Sequence, residues 1–132
     1  AWAALGFEGF NVYVDHMQPH LLQSPLRPMP ALSATSTNED VARIAALPGC
    51  IIEASIMPFE RYRTAMTETD LERYAAVVRS VDVPVIVPSQ LALTPEDAKR
   101  LREAGIAAPL LGAIVTGDTP QSMQAAISAF AH

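Results

Sequence analysis

One phrase recurs along this chain of 132 residues: an apolar run, a threonine-led turn, then an amphipathic helix. Val85-Ile86-Val87 leads to Thr94-Pro95-Glu96-Asp97, and Leu110-Leu111-Gly112-Ala113-Ile114-Val115 leads to Thr119-Pro120. A third copy runs from Cys50-Ile51-Ile52-Glu53-Ala54 to Thr69-Asp70-Leu71-Glu72. Short, continuously apolar strands that alternate with helices belong to a parallel sheet covered by those helices. The chain is therefore expected to be α/β, a parallel sheet of about five strand–helix units. Folds of this kind carry their chemistry at the carboxyl ends of the strands.

Five strands are expected, at 11–14, 31–34, 50–54, 85–87 and 110–115. A helix over 38–47 follows cap candidates Ser36 and Thr37, and Pro48-Gly49 stops it. The helix over 70–80 places Leu71, Tyr74, Ala75 and Val78 on one face, with Thr69 and Glu72 at capping-box spacing. The helix over 95–104 has proline at its first position and ends at Gly105. A last helix, 120–130, presents Met123, Ile127 and Phe130. Residues 17–30 hold Pro19, Pro25, Pro28 and Pro30, a density that excludes a regular helix and predicts a loop or an arm.

The length predicts one domain over residues 1–132, and the chain begins without methionine on what reads as the last turn of a helix, as a processed protein or a piece of a longer one would. A net charge of −5 disfavours nucleic acid or an anionic membrane as a partner, since both reward basic surface. The longest apolar stretch, 106–115, is interrupted by Pro109 and Gly112 and is too short to span a bilayer. A single cysteine, Cys50, in an apolar run points to a reducing, cytoplasmic setting.

The segment from Val83 through Glu103-Ala104-Gly105 to Leu110-Leu111-Gly112-Ala113 resembles the closing strands of a (β/α)8 barrel. The resemblance is to the phosphate-binding barrels of the aldolase and ribulose-phosphate isomerase kind, and it covers roughly the last fifty residues. A whole barrel needs about 250 residues, so the resemblance implies a C-terminal half, to be completed by a missing half or as a homodimer. It further implies lyase, aldolase or isomerase chemistry on a small anionic or carbonyl metabolite. Gly112 and Ala113 match the family's last strand tip, where small residues let the backbone approach an anion. Pro88-Ser89-Gln90 departs from the glycine pair common after its seventh strand, and the only lysine, Lys99, falls on the polar side of a helix, away from any Schiff-base role. An alternative is a flavodoxin-type, receiver-like three-layer sandwich. Val12-Tyr13-Val14-Asp15-His16 looks like the acidic corner of receivers, and Ile56-Met57-Pro58 like the turn after their phosphoacceptor. The phosphoacceptor position holds Ala54 and the lysine position Gly112, so this reading implies a non-enzymatic pseudo-receiver or assembly module.

Glu53 is the sharpest catalytic candidate, because a carboxylate in an apolar strand is costly unless it is paired or useful. Burial would raise its pKa toward that of a general base, whereas Arg61 or Arg63 in the next loop would make it a structural ion pair. Asp15 and His16 follow the first strand and supply a carboxylate beside an imidazole for acid–base work. Ser55, Ser89, Gln90, Gly112, Ala113 and Thr116 are candidates to contact substrate at the strand tips. Ser33, Thr35, Ser36 and Thr37 follow the second strand; one is a helix cap and the rest are free to meet a hydroxyl or phosphate. His20 is separated from His16 by Pro19, so no metal site is expected, and no motif names a cofactor.

Overall fold

The computed structural model describes residues 2–131. Five parallel strands form one open sheet: β1 (Gly9–Tyr13), β2 (Arg27–Leu32), β3 (Ile52–Ala54), β4 (Val85–Pro88) and β5 (Ala108–Leu110). Their order in space is their order in sequence, β1-β2-β3-β4-β5, so β1 and β5 are the edges. A flavodoxin-like sheet would instead place the first strand between the second and third. Helices α1 (Pro19–Leu22), α2 (Asn38–Ala45), α3 (Glu68–Arg79) and α4 (Pro95–Glu103) lie between the strands, and α5 (Ala113–Thr116) and α6 (Pro120–Phe130) follow the last.

The recurring threonine is the element that starts each long helix. Thr37, Thr67, Thr94 and Thr119 each cap a helix through a reciprocal box with Asp40, Asp70, Asp97 and Ser122. Each box satisfies N–H groups that the first turn cannot bond internally. For α3 the cap is Thr67 rather than Thr69, because Asp70 and not Glu72 stands three residues beyond the residue with extended backbone. After α4, Gly105 adopts a left-handed φ of 93°, and a Cβ there would also meet Val78 at 2.9 Å.

Two expected elements differ. The proline-rich segment contributes a single helical turn, α1, and then enters the sheet as most of β2. Successive residues of a parallel strand bond to opposite neighbours. Arg27 donates to Glu8 of the β1 side at 2.9 Å, whereas Pro28 accepts from Ile51 on the β3 side at 3.2 Å. Pro28 and Pro30 therefore both lack their donor toward β3 and leave the β1 ladder whole. Accordingly β2 pairs with β1 over five residues and with β3 over two. Second, the expected strand over 110–115 ends at Leu110, and Ala113–Thr116 winds into α5. Val115 packs against the core from that turn, a burial that outweighs the strand preference of Ile114-Val115.

The core lies on one face of the sheet. Leu32, Ile52, Ala54, Val85 and Val87 pack there against Ile44 of α2, Tyr74 of α3 and Leu101 of α4. The opposite face contributes no residue to this cluster: on β1 its Asn11 and Tyr13 are exposed, while Ala31 and Ile86 at its middle are buried. On α6, Phe130 reaches the core while Met123 and Ile127 stay exposed. No helix among the described residues is long and apolar enough to cross a membrane.

Asp70 ties the start of α3 to the loop before it. It is 2% exposed, accepts from Thr67 N at 2.9 Å, and pairs with Arg61 Nη2 at 2.5 Å. Burial opposes its charge, but the Arg61 guanidinium and the Thr67 donors outweigh that and hold the carboxyl below the ordinary range. A depressed folded-state pKa stabilises the fold above the ordinary carboxylate value of about 4 and loses that contribution as pH falls through the depressed value. Asp70→Asn is therefore expected to cost about 2 kcal/mol at neutral pH, with the gap to the parent closing in acid; urea unfolding across pH measures both.

Candidate functional site

Strand register decides which side chains share the helix-free face. Tyr13 pairs with Ala31, Ala31 with Glu53, Glu53 with Ile86, and Ile86 with Ala108. Residues level with one another in a parallel sheet point the same way. Glu53 thus stands at the middle of the face that the core leaves out, while its neighbours Ile52 and Ala54 are fully buried on the other. Asn11 and Ser55, each two residues along its own strand direction from members of this row, share the face.

The Glu53 carboxylate accepts from Asn11 Nδ2 at 2.8 Å, and the same amide donates to Met29 O at 2.9 Å. Both partners are acceptors only, which fixes the amide's orientation. Above it, Tyr13 Oη and Ser55 Oγ lie 3.4 Å apart. Burial pushes the Glu53 carboxyl up from its ordinary value, and hydrogen bonds from Asn11 and Ser55 offset part of the rise. Neither arginine of the next loop reaches it. Arg61 is paired with Asp70, and Arg63 is exposed, with a left-handed φ of 64°. Among the described residues Glu53 has no ion-pair partner.

Beyond the strand ends a cleft of about 460 Å³ opens over β3, β4 and β5. Ser55, Ser89, Gln90, Gly112 and Ala113 all line it, together with Tyr13 and Tyr62. Ser55 belongs to both places, since it lines the cleft and supports the Glu53 carboxylate.

The polar groups of the cleft differ in what they have free. Gln90 is buried, and its amide is committed to the protein. Its Oε1 accepts from Met57 N at 3.1 Å, and its Nε2 donates to Ser55 O at 3.2 Å and to Tyr62 Oη. It straps the loop after β3 to the end of β4, a role that sequence spacing does not reveal. Ser89 Oγ accepts from Gly112 N at 2.7 Å and keeps its own hydrogen available for a ligand. Thr116 is buried outside the cleft lining, with its hydroxyl against the Gly112 and Gly117 carbonyls. Asp15 and His16 occupy a short 3-10 turn directly after β1, exposed and outside the cleft lining. The residues that sequence reasoning missed are Asn11 and Tyr13, whose partners lie 42 positions away.

Among the described residues no group of three or more His, Cys, Asp or Glu side chains is arranged to hold a metal ion. The buried Cys50 thiol is pushed up to about 11 by burial, so it is not a thiolate at neutral pH. No protein-family model matches this chain, and no curated protein matches it.

The strap role of Gln90 has a measurable consequence. Gln90→Leu leaves the buried Met57 N–H without an acceptor and is expected to destabilise the fold by about 2 kcal/mol. Hydrogen exchange at Met57 should accelerate in the variant beyond the change at amides of α4.

Proposed function

We propose that this chain forms part of the wall of a (β/α)8-type barrel that acts on a small carbonyl or anionic metabolite, with Glu53 as the proton-transferring group. Two features support the barrel over a sandwich: strands that neighbour each other in chain order, and a main hydrophobic cluster built on one sheet face. In a barrel the helix-free face is the interior, and ligands enter from the carboxyl ends of the strands. The observation that carries the functional reading is Glu53 itself, a half-buried carboxyl without a cation, raised in pKa, on that face beside a cleft.

A carboxylate so placed suits removal of a proton from carbon next to a carbonyl, the step shared by aldolase and isomerase chemistry. Glu53 takes the proton, the electron pair moves onto the carbonyl oxygen, and return of the proton to another atom completes an isomerisation. Asn11 keeps the carboxylate oriented by donating to one of its oxygens. The Ser89 hydroxyl is the available donor for the enolate or an anionic substituent. Asp15 and His16, in the turn after β1 and outside the cleft lining, are the residues this reading assigns to the polar end of an entering substrate.

The test is deuterium uptake from D2O at the carbon next to the carbonyl of pyruvate or dihydroxyacetone phosphate, followed by proton NMR. Uptake is expected with the parent protein and is expected to fall by about a hundredfold or more in Glu53→Gln. The variant should also be no less stable than the parent at neutral pH, because the raised carboxyl pKa means ionised Glu53 disfavours folding as pH rises. No uptake in the parent, or equal uptake in the variant, would overturn the reading.

A further inference from the structure

A second cleft, of about 530 Å³, opens between α2 and α3 on the helix side of the sheet and shares no lining residue with the strand-tip cleft. Leu32 at the end of β2 and Ile56 in the loop after β3, with Val41 of α2 and Val77 of α3, give it an apolar interior. Ser33, Ser36, Asn38 and Arg73 supply its polar groups.

Three observations give this cleft a chemical preference. Of the three arginines on α2 and α3, Arg43 pairs with Asp40 and Arg79 with Glu72, whereas Arg73 makes no ion pair or hydrogen bond among the described residues. No carboxylate lines the cleft, in a chain with 14 acidic residues against 9 basic ones. The Ser33 and Ser36 hydroxyls lie 3.3 Å apart, and Ser36 Oγ accepts from Ser33 N at 2.8 Å. That geometry leaves a hydroxyl hydrogen able to turn outward. The cap of α2 is Thr37, so Ser33 and Ser36 are not needed for that duty.

We propose that this cleft binds a small amphipathic monocarboxylate, its tail against Leu32, Val41, Ile56 and Val77 and its head on the Arg73 guanidinium. The volume falls within the range of ligand pockets, and a planar guanidinium matches a carboxylate in a bidentate way. A single arginine balances one negative charge. A phosphate dianion would leave a second charge unbalanced in a chain whose net charge is −5. This site is independent of Glu53 and of the barrel reading.

The test is titration of the whole chain with octanoate, octan-1-ol and octyl phosphate, followed by amide chemical shifts. Octanoate is expected to saturate in the millimolar range with shifts at Ser33, Ser36 and Val77, and to bind about tenfold more tightly than the alcohol or the phosphate. Arg73→Gln should weaken octanoate binding about tenfold, Ala76→Leu should narrow the cleft and weaken it too, and Arg79→Gln should leave it unchanged. Alcohol binding equal to octanoate, tighter binding of the phosphate, an unaffected Arg73→Gln, or shifts confined to the strand tips would each overturn the proposal.

Discussion

The register of the middle strands, in which Ala31 separates Tyr13 from Glu53, is the constraint on which the site depends. Neighbouring strands lie about 4.8 Å apart, so side chains on β1 and β3 must reach across a whole strand to meet. Asn11 and Glu53 do so at 2.8 Å, and Tyr13 and Ser55 come within 3.4 Å. A methyl group at Ala31 leaves room for both reaches. Because side chains alternate, a slip of one residue in β3 would carry Glu53 into the core and Ile52 out of it. The fully buried Ile52 and Ala54 hold the strand against that slip.

Two acidic residues at low exposure show how partner choice separates structure from chemistry. Asp70 is surrounded by donors and a guanidinium, and its carboxyl is held low. Glu53 has two neutral donors and no cation, and its carboxyl is held high. The aspartate repeats with the helix caps at Asp40, Asp70 and Asp97, as expected of a residue that serves the fold. Glu53 has no counterpart in the other strands, which hold Ala31, Ile86 and Ala108 at its level.

The helix phrase was legible because capping is local: an extended threonine, a partner three residues on, and an apolar face suffice to place α4 and α6. It misplaced the start of α3 because Thr67 and Thr69 both precede an acidic residue at capping distance, and only the backbone of the preceding loop decides between them. The first four residues of β2 were hidden by Pro28 and Pro30, since proline argues against a strand unless both missing donors fall on one side. The turn of α5 was hidden by β-branched residues whose packing overrides their preference. Glu53 stood out because it interrupts an apolar run, whereas Asn11 and the Arg61–Asp70 pair gave no local signal. Their partners are brought to them only by the fold.

The most direct test of this account is the pKa of the Glu53 side chain, read from the pH dependence of its carboxyl carbon shift. A value above the ordinary glutamate range, rising further when Asn11 is replaced by alanine, is the expected result, because Asn11 stabilises the charged form against burial. A carboxyl that titrates at or below the ordinary value, unmoved by loss of Asn11, would contradict it and return Glu53 to the solvated surface.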